Sequence, residues 1–572
     1  MKINRIQMKM VKRFVIMAAV LSAAIQVNAV PAYPGWQLQT QPDGSTIAVR
    51  LNGDEMYHYY TNADGAVVEK DANGYWQVVE AKPSADKIRA RRAASRYSKR
   101  RNVGGVNLAP RGLFVLVNFF DTCYQAENTQ TVMDSMMNGA NYTYAKSVGS
   151  AKRYFVDQSG GRYNPVFDVV GPVTLSKSAA YYGANDADGN DLHPGDMVVE
   201  ACKLVKSQYN VDFTRYDNDR DGKIDFVYII YAGKGEADGG AAETIWPHNW
   251  NLSSARYYEN CTYSLEDCKV DGLLIENYAC SGELDGQTGA RNGIGTLCHE
   301  FSHVLGLPDF YDTNYGSNHE NKRTPGAWDI MDSGSYNGDG HCPPNYSAFE
   351  KYFLGWASPV NPGRTGQRLT LHAAGTGLYQ SYQMNASDTL QPATTEGENY
   401  YIENRQQTGW DKYLPGHGLL VWYVNYSEEK WSSNKSNAID AYPSYTIESA
   451  TGFRTNIGSS RDPFPGAAGV STWAGMHGMP LKDIREENGV VTLVYGEEFL
   501  GYTVNWSVDG EIVESKVYMT SGEDLEMPTV AVTPCPGMQL LGWTEEEDYH
   551  DPIVLPADLF ADAAGRKVTG HV

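Results

Sequence analysis

Over residues 31–81 polar and apolar positions alternate with a period of two, and the alternation is broken at Pro-Asp-Gly (42–44), Asn-Gly-Asp (52–54), Ala-Asp-Gly (63–65) and Ala-Asn-Gly (72–74). Period-two alternation with turn residues between the runs predicts short strands. The pattern then changes. Residues 82–101 read as a helix and linker, and just after Arg111 the run GLFVLVNFF predicts a buried strand. A second core strand is predicted at DFVYIIYAG, residues 225–233, within a stretch that alternates helix-like and strand-like pieces as far as residue 292. Ile294, Leu297, Cys298, Phe301, Val304 and Leu305 recur at helical spacing and predict a helix with one buried stripe. Residues 346–356 predict a second helix. Beyond residue 359 short strands with Gly, Pro and Asn turns predict a β-sandwich or barrel, with 400–404 pairing to 418–423. A smaller β-rich unit runs from 499 to 572. Periodicity alone assigns the α+β class.

At 572 residues, 42% hydrophobic and 20% charged, the chain is globular and long enough for three or four domains. Its 39 tyrosines favour strand-rich surfaces. Charge divides it in two: residues 1–101 carry 16 Lys and Arg against 8 Asp and Glu, and the remaining 471 carry 31 against 61. The acidic body excludes nucleic acid and anionic lipid as partners and favours cations. Residues 1–29 place Lys2, Arg5, Lys9, Lys12 and Arg13 before an apolar run at 14–25 and a small-residue end, which predicts an export signal too short to remain as a membrane span. The mature chain is therefore expected to be secreted or extracytoplasmic. Residues 82–101 hold nine basic residues with multibasic steps at Arg91-Arg92 and Lys99-Arg100-Arg101. They read either as a cleavable junction or as a basic helix lying on the acidic body. Eight cysteines without a CxxC pair make a structural zinc-cysteine site improbable.

The chemistry concentrates at residues 295–309, GTLCHEFSHVLGLPD. His299 and His303, four apart on the predicted helix, project from one face and can reach one ion, with Glu300 beside them. His-Glu-x-x-His suits a zinc hydrolase, in which the ion makes a bound water acidic and the glutamate takes and returns the proton. Gly306 offers a left-handed cap and Pro308 forbids continuation, so the chain turns and can return Asp309 as third ligand. Glu350 on the following helix is the fallback. At residues 328–336, WDIMDSGSY sets Met331 in a tight polar turn like the methionine turn beneath the zinc of metzincins. Tyr336 there can serve as an oxyanion donor or as a structural tyrosine.

A second metal candidate precedes the second strand. Asp217, Asp219, Asp221 and Asp225 place oxygen ligands at the first, third, fifth and ninth positions of a loop with Gly222 sixth, which matches a calcium loop except that Tyr228 stands where the bidentate glutamate belongs.

GTLCHEFSHVLGLPDFYD, AWDIMDSGSYNG and YSAFEKYFLGW together resemble the secreted metallopeptidases of the immune inhibitor A type, a metzincin branch. GDEMYHYYTNADG, DFVYIIYAGKGEA, IWPHNW, ENRQQTGWDKYLPGHGLLVWYV and DPFPG agree with it, over residues 31–466. The resemblance implies a metzincin-like catalytic domain at 102–358 and a propeptide at 30–101 that blocks the cleft; the strand pattern adds β domains at 359–498 and 499–572. The resemblance assigns His299, His303 and Asp309 to zinc and Glu300 to general-base catalysis; His248 in IWPHNW reads as a structural or pocket-wall residue rather than a metal ligand. The expected activity is zinc-dependent cleavage of proteins or peptides by a zymogen. The alternatives are a surface or adhesion protein that retains the fold, against which the intact Glu300 stands, and a carbohydrate binder using the β domains.

Overall fold

The computed structural model describes residues 30–55, 57–79, 109–186, 189–258, 260–313, 324–363, 367–385, 389–438, 443–452, 458–475, 479–496, 502–508 and 511–518. The export signal, the basic stretch 82–101 and most of the C-terminal β-rich unit lie outside them. One compact unit takes in the described residues as far as 493, apart from 367–368 and 479–480. The described remainder falls in a second unit, where Tyr502–Val508 pairs antiparallel with Glu511–Tyr518.

The alternating N-terminal stretch forms a five-stranded antiparallel sheet in sequence order, Gln37–Thr40, Thr46–Asp54, Tyr57–Asn62, Val67–Lys70 and Trp76–Val78. Three of the four turn signals sit between strands. The fourth, Asn52-Gly53-Asp54, ends the second strand instead, because Gly53 takes φ +117° inside the ladder and the reversal falls just after Asp54.

At the centre lies a second five-stranded sheet, ordered His248–Asn251, Asn277–Leu284, Val227–Lys234, Arg111–Asn118 and Val166–Thr174. The last four strands run parallel, and the first joins as an antiparallel edge. Parallel strands buried on both faces read as continuous apolar runs, which is why GLFVLVNFF and VYIIYAG carry little polar alternation. Phe114, Leu116, Tyr228 and Ile230 point to one face, and Leu113, Val115, Val227 and Ile229 to the other. The second face is covered by Pro194–Tyr209, the longest described helix. On the first face lies the helix Gly295–Val304, whose Phe301 ring packs 4.9, 5.4 and 5.3 Å from those of Phe155, Phe167 and Phe226.

That first core continues into residues 382–447. Here Tyr382–Met384, Gly397–Arg405, Gly418–Tyr426 and Tyr445–Ile447 form a four-stranded antiparallel sheet, with Tyr400 opposite Tyr423 and Asn404 opposite Leu419. Tyr401, Trp422, Tyr445 and Ile447 share one apolar cluster with Leu297 and Phe301 of the Gly295–Val304 helix and with Leu305 just after it. The whole is a mixed α/β arrangement in which sheets dominate and most helices are short. No helix among the described residues is long and apolar enough to cross a membrane.

A fully buried arginine ties this sheet to the loop before the helix Ala348–Phe353. Arg405 donates from Nε to Asp411 Oδ2 at 2.7 Å, from Nη1 to Glu403 Oε1 at 3.2 Å and from Nη2 to the Asn345 carbonyl at 2.9 Å. Asp411 in turn accepts the Asn345 amide at 2.8 Å. Removing one member of a buried charge group strands the others without compensation. Arg405→Ala is therefore expected to cost about 3–5 kcal/mol in denaturant unfolding, and a loss below about 1 kcal/mol would show that the carboxylates find other partners.

Candidate metal centre

Glycine makes the start of the Gly295–Val304 helix possible. A Cβ on Gly295 would stand 1.9 Å from the Ser335 carbonyl oxygen, and its own N–H donates to the Gly340 carbonyl at 2.7 Å. The turn carrying Met331 and Tyr336 is thus pressed against the helix entrance. At the other end Gly306 takes φ +98°, its N–H reaches the His303 carbonyl, and the Leu307 N–H reaches the Ser302 carbonyl. This paired capping closes the helix and turns the chain back. Phe310 then bonds through its N–H to the Met331 carbonyl at 2.8 Å, which fixes Asp309 beside the helix.

His299, His303 and Asp309 are brought together, all buried, with one ligand atom from each lying within 4.8 Å of the others. His299 Nδ1 lies 2.7 Å from the Ile330 carbonyl oxygen, and His303 Nδ1 lies 2.8 Å from that of Leu307. A carbonyl only accepts, so each Nδ1 carries the proton and each Nε2 presents its lone pair. Both Nε2 atoms face Asp309 Oδ1, at 3.2 and 3.3 Å. Tetrahedral ligands at about 2.0–2.1 Å from zinc stand about 3.3 Å apart, so two imidazole nitrogens and one carboxylate oxygen fit that ion in chemistry and in spacing. Met331 is buried next to these groups, and its N–H donates to Asp329 Oδ1 at 2.7 Å. Asp329 Oδ2 in turn accepts the Tyr445 hydroxyl at 2.8 Å.

Glu300 is fully buried. Its Oε1 accepts the Val30 N–H at 2.9 Å, and its Oε2 has no hydrogen-bond partner among the described residues. Burial first, then the charges of Asp309 and Glu55, push its carboxyl well above the usual range, opposed by the bond from Val30. Residues 30–33 are held beside it on several sides. Trp246 Nε1 donates to the Val30 carbonyl at 3.3 Å, the Tyr336 hydroxyl to the Pro31 carbonyl at 2.7 Å, and the Tyr33 N–H to the Ala237 carbonyl at 2.8 Å.

Other predicted residues lie elsewhere. Glu350 points into a capping box, accepting the Ser347 N–H at 2.7 Å while its own N–H donates to Ser347 Oγ at 3.1 Å, so it is committed to its own helix. His248 has Nδ1 bonded to the Trp246 carbonyl and Nε2 to the Tyr278 hydroxyl, and burial lowers its pKa to about 4, leaving a neutral structural ring. Asp217, Asp219 and Asp221 converge within 4.8 Å, with Gly222 at φ +88°. Asp225 departs from the expected loop: its buried Oδ2 accepts both the N–H and the Nδ2 of Asn218, each at 2.7 Å, so that oxygen ties the loop base instead of joining the other three. The seven described cysteines are all free thiols. Sequence reasoning missed Val30, Glu55 and Asn434, the last of which bonds Asp309; no short-range signal marks residues that meet across such distances in the chain.

The catalytic-domain model of the immune inhibitor A peptidase M6 family matches residues 116–357. The chain is 33% identical over 238 residues to the pre-pro-metalloprotease PrtV of Vibrio cholerae, a match covering 38% of this chain and 24% of that one. It is likewise 33% identical over 225 residues to immune inhibitor A of Bacillus thuringiensis subsp. alesti, covering 36% of this chain and 31% of the relative. The chain thus spans a quarter to a third of the length of these relatives.

The contact at the helix entrance is testable. Gly295→Ala is expected to lower stability by about 1–3 kcal/mol through overpacking against Ser335, read from denaturant melting, and unchanged stability would show that the turn yields freely.

Proposed function

We propose that the chain, whose residues 116–357 match the catalytic-domain model of the immune inhibitor A peptidase M6 family, is an exported zinc endopeptidase of metzincin type, made as a zymogen. The observation that carries this reading is the meeting of His299 Nε2 and His303 Nε2 with Asp309 Oδ1, at 3.2 and 3.3 Å, beside a buried carboxyl. His299, His303 and Asp309 would hold the zinc, and zinc supplies a Lewis acid that makes water a nucleophile near neutral pH. Glu300 takes the proton from the attacking water and returns it to the leaving amine. Tyr336 already donates to a main-chain carbonyl at the site, and in the open cleft it would donate to the carbonyl oxygen of a peptide substrate. Met331 supports the ligands from below. Glu300→Gln is expected to keep zinc and lose about 10²- to 10⁴-fold in turnover of a peptide library; metal analysis showing zinc with undiminished proteolysis would remove Glu300 from the chemistry.

Latency is assigned to residues 30–101. The backbone N–H of Val30 occupies Glu300, and the bonds to Trp246, Tyr336 and Ala237 keep residues 30–33 where a substrate backbone would have to pass. The N-terminal sheet docks further through His58, which stacks on Trp246 at 4.7 Å and lies 3.3 Å from Glu236. The chain from residue 30 is expected to be inactive until cut near Arg101, at the multibasic steps, and full activity of the uncut chain would refute latency.

Calcium is assigned to Asp217, Asp219 and Asp221, hard oxygen donors around the turn that feeds the strand Lys223–Ile224. Calcium at 100 times its dissociation constant would add about 2.7 kcal/mol to the folded state. Calcium is expected to raise the melting temperature of the parent chain and not that of Asp219→Asn/Asp221→Asn; equal curves with and without calcium in the parent would reduce the loop to a turn.

A further inference from the structure

We infer that Asn434, from a loop of the C-terminal β region, is a positioning residue for the metal centre that orients Asp309 and selects which of its oxygens faces the ion. The inference rests on the reading of Asp309 as third ligand and goes beyond it by naming what holds that ligand.

Asn434 makes a two-point contact with Asp309 across 125 positions in sequence. Its Oδ1 accepts the Asp309 N–H at 2.8 Å, and its Nδ2 donates to Asp309 Oδ2 at 2.6 Å. The amide has one workable orientation, because a flip would set two donors and two acceptors against each other. Asp309 Oδ2 is thereby engaged, and Oδ1 is the atom left facing His299 Nε2 and His303 Nε2. A carboxylate held by one oxygen gives a one-oxygen ligand, which leaves the remaining position of a tetrahedral catalytic site for water and substrate.

The loop that carries Asn434 is itself bound to the ligand-bearing segment on both sides. Trp431 Nε1 donates to the Gly306 carbonyl at 3.0 Å, the Thr313 hydroxyl to the Asn434 carbonyl at 3.1 Å, and Asn437 Nδ2 to the Phe310 carbonyl at 2.6 Å. Asn434 takes φ +51°, a left-handed conformation that asparagine tolerates better than most residues. Its backbone and its side chain therefore both favour asparagine. Glycine would keep the backbone and lose the amide. Aspartate would keep the shape and place a second carboxylate against Oδ2.

The test is zinc affinity of the full-length chain, measured by chelator competition, with the visible spectrum of the cobalt-substituted protein as a second readout. Asn434→Gly and Asn434→Asp are each expected to weaken zinc binding by about 10- to 100-fold, as loss of a partner to a ligand commonly does, and to alter the cobalt bands. A merely structural loop anchor would change melting without moving either readout. Asn434→Asp, nearly isosteric, decides the matter if the glycine variant does not accumulate. Asp309→Ala is measured in parallel. If it binds zinc as tightly as the parent, the ligand reading beneath the inference falls. If it loses zinc while both Asn434 variants bind within about threefold of the parent, the role of Asn434 alone is overturned.

Discussion

A carboxylate with no access to solvent has to be compensated on every side, and Asp309 is such a group. Its Oδ1 meets two imidazoles, its Oδ2 an amide, and its backbone N–H the same amide. Each partner comes from a different part of the chain or a different turn of the helix. The site is therefore less a helix motif with an appended ligand than a junction, and it closes only when the helix, the loop after it and the strands near residue 440 are all in place.

Packing enforces the same dependence. Phe310, next to Asp309, stacks on Tyr445 with ring centroids 3.7 Å apart, and the Tyr445 hydroxyl reaches Asp329, the residue that shapes the turn around Met331. Trp422 and Tyr401 of the four-stranded sheet lie in the same apolar cluster as Phe301 and Leu297 of the helix. Because close-packed cores transmit small displacements, that sheet and the helix carrying His299 and His303 behave as one packed body. Buried Arg405 adds a charged tie that apolar contact alone would not make specific in direction.

The local features were legible because their causes are local. His299, Glu300 and His303 follow from helical spacing, the chain reversal from Gly306 and Pro308, and the core strands from their unbroken apolar runs. The Asp217 loop was readable as far as Gly222; beyond it the choice between calcium loop and strand entry depends on burial, and Asp225 turns inward to Asn218. Long-range partners were not legible. Nothing in the residues around Asn434 or Val30 distinguishes them from other loop positions, since what gives them a role is the three-dimensional meeting of segments 125 and 270 residues apart. Glu350 shows the converse: a buried acid near the right place in sequence whose Oε2 serves its own helix cap.

Two histidines and one aspartate, on the proposed reading, form the metal's protein ligand set. X-ray absorption at the zinc edge of the loaded protein reads this directly. The account predicts scattering from two imidazoles with light-atom ligands at about 2.0–2.2 Å and no sulfur, and a loss of one oxygen neighbour in Asp309→Ala. A third imidazole, a zinc–sulfur distance near 2.3 Å, or a spectrum indifferent to Asp309 would contradict it.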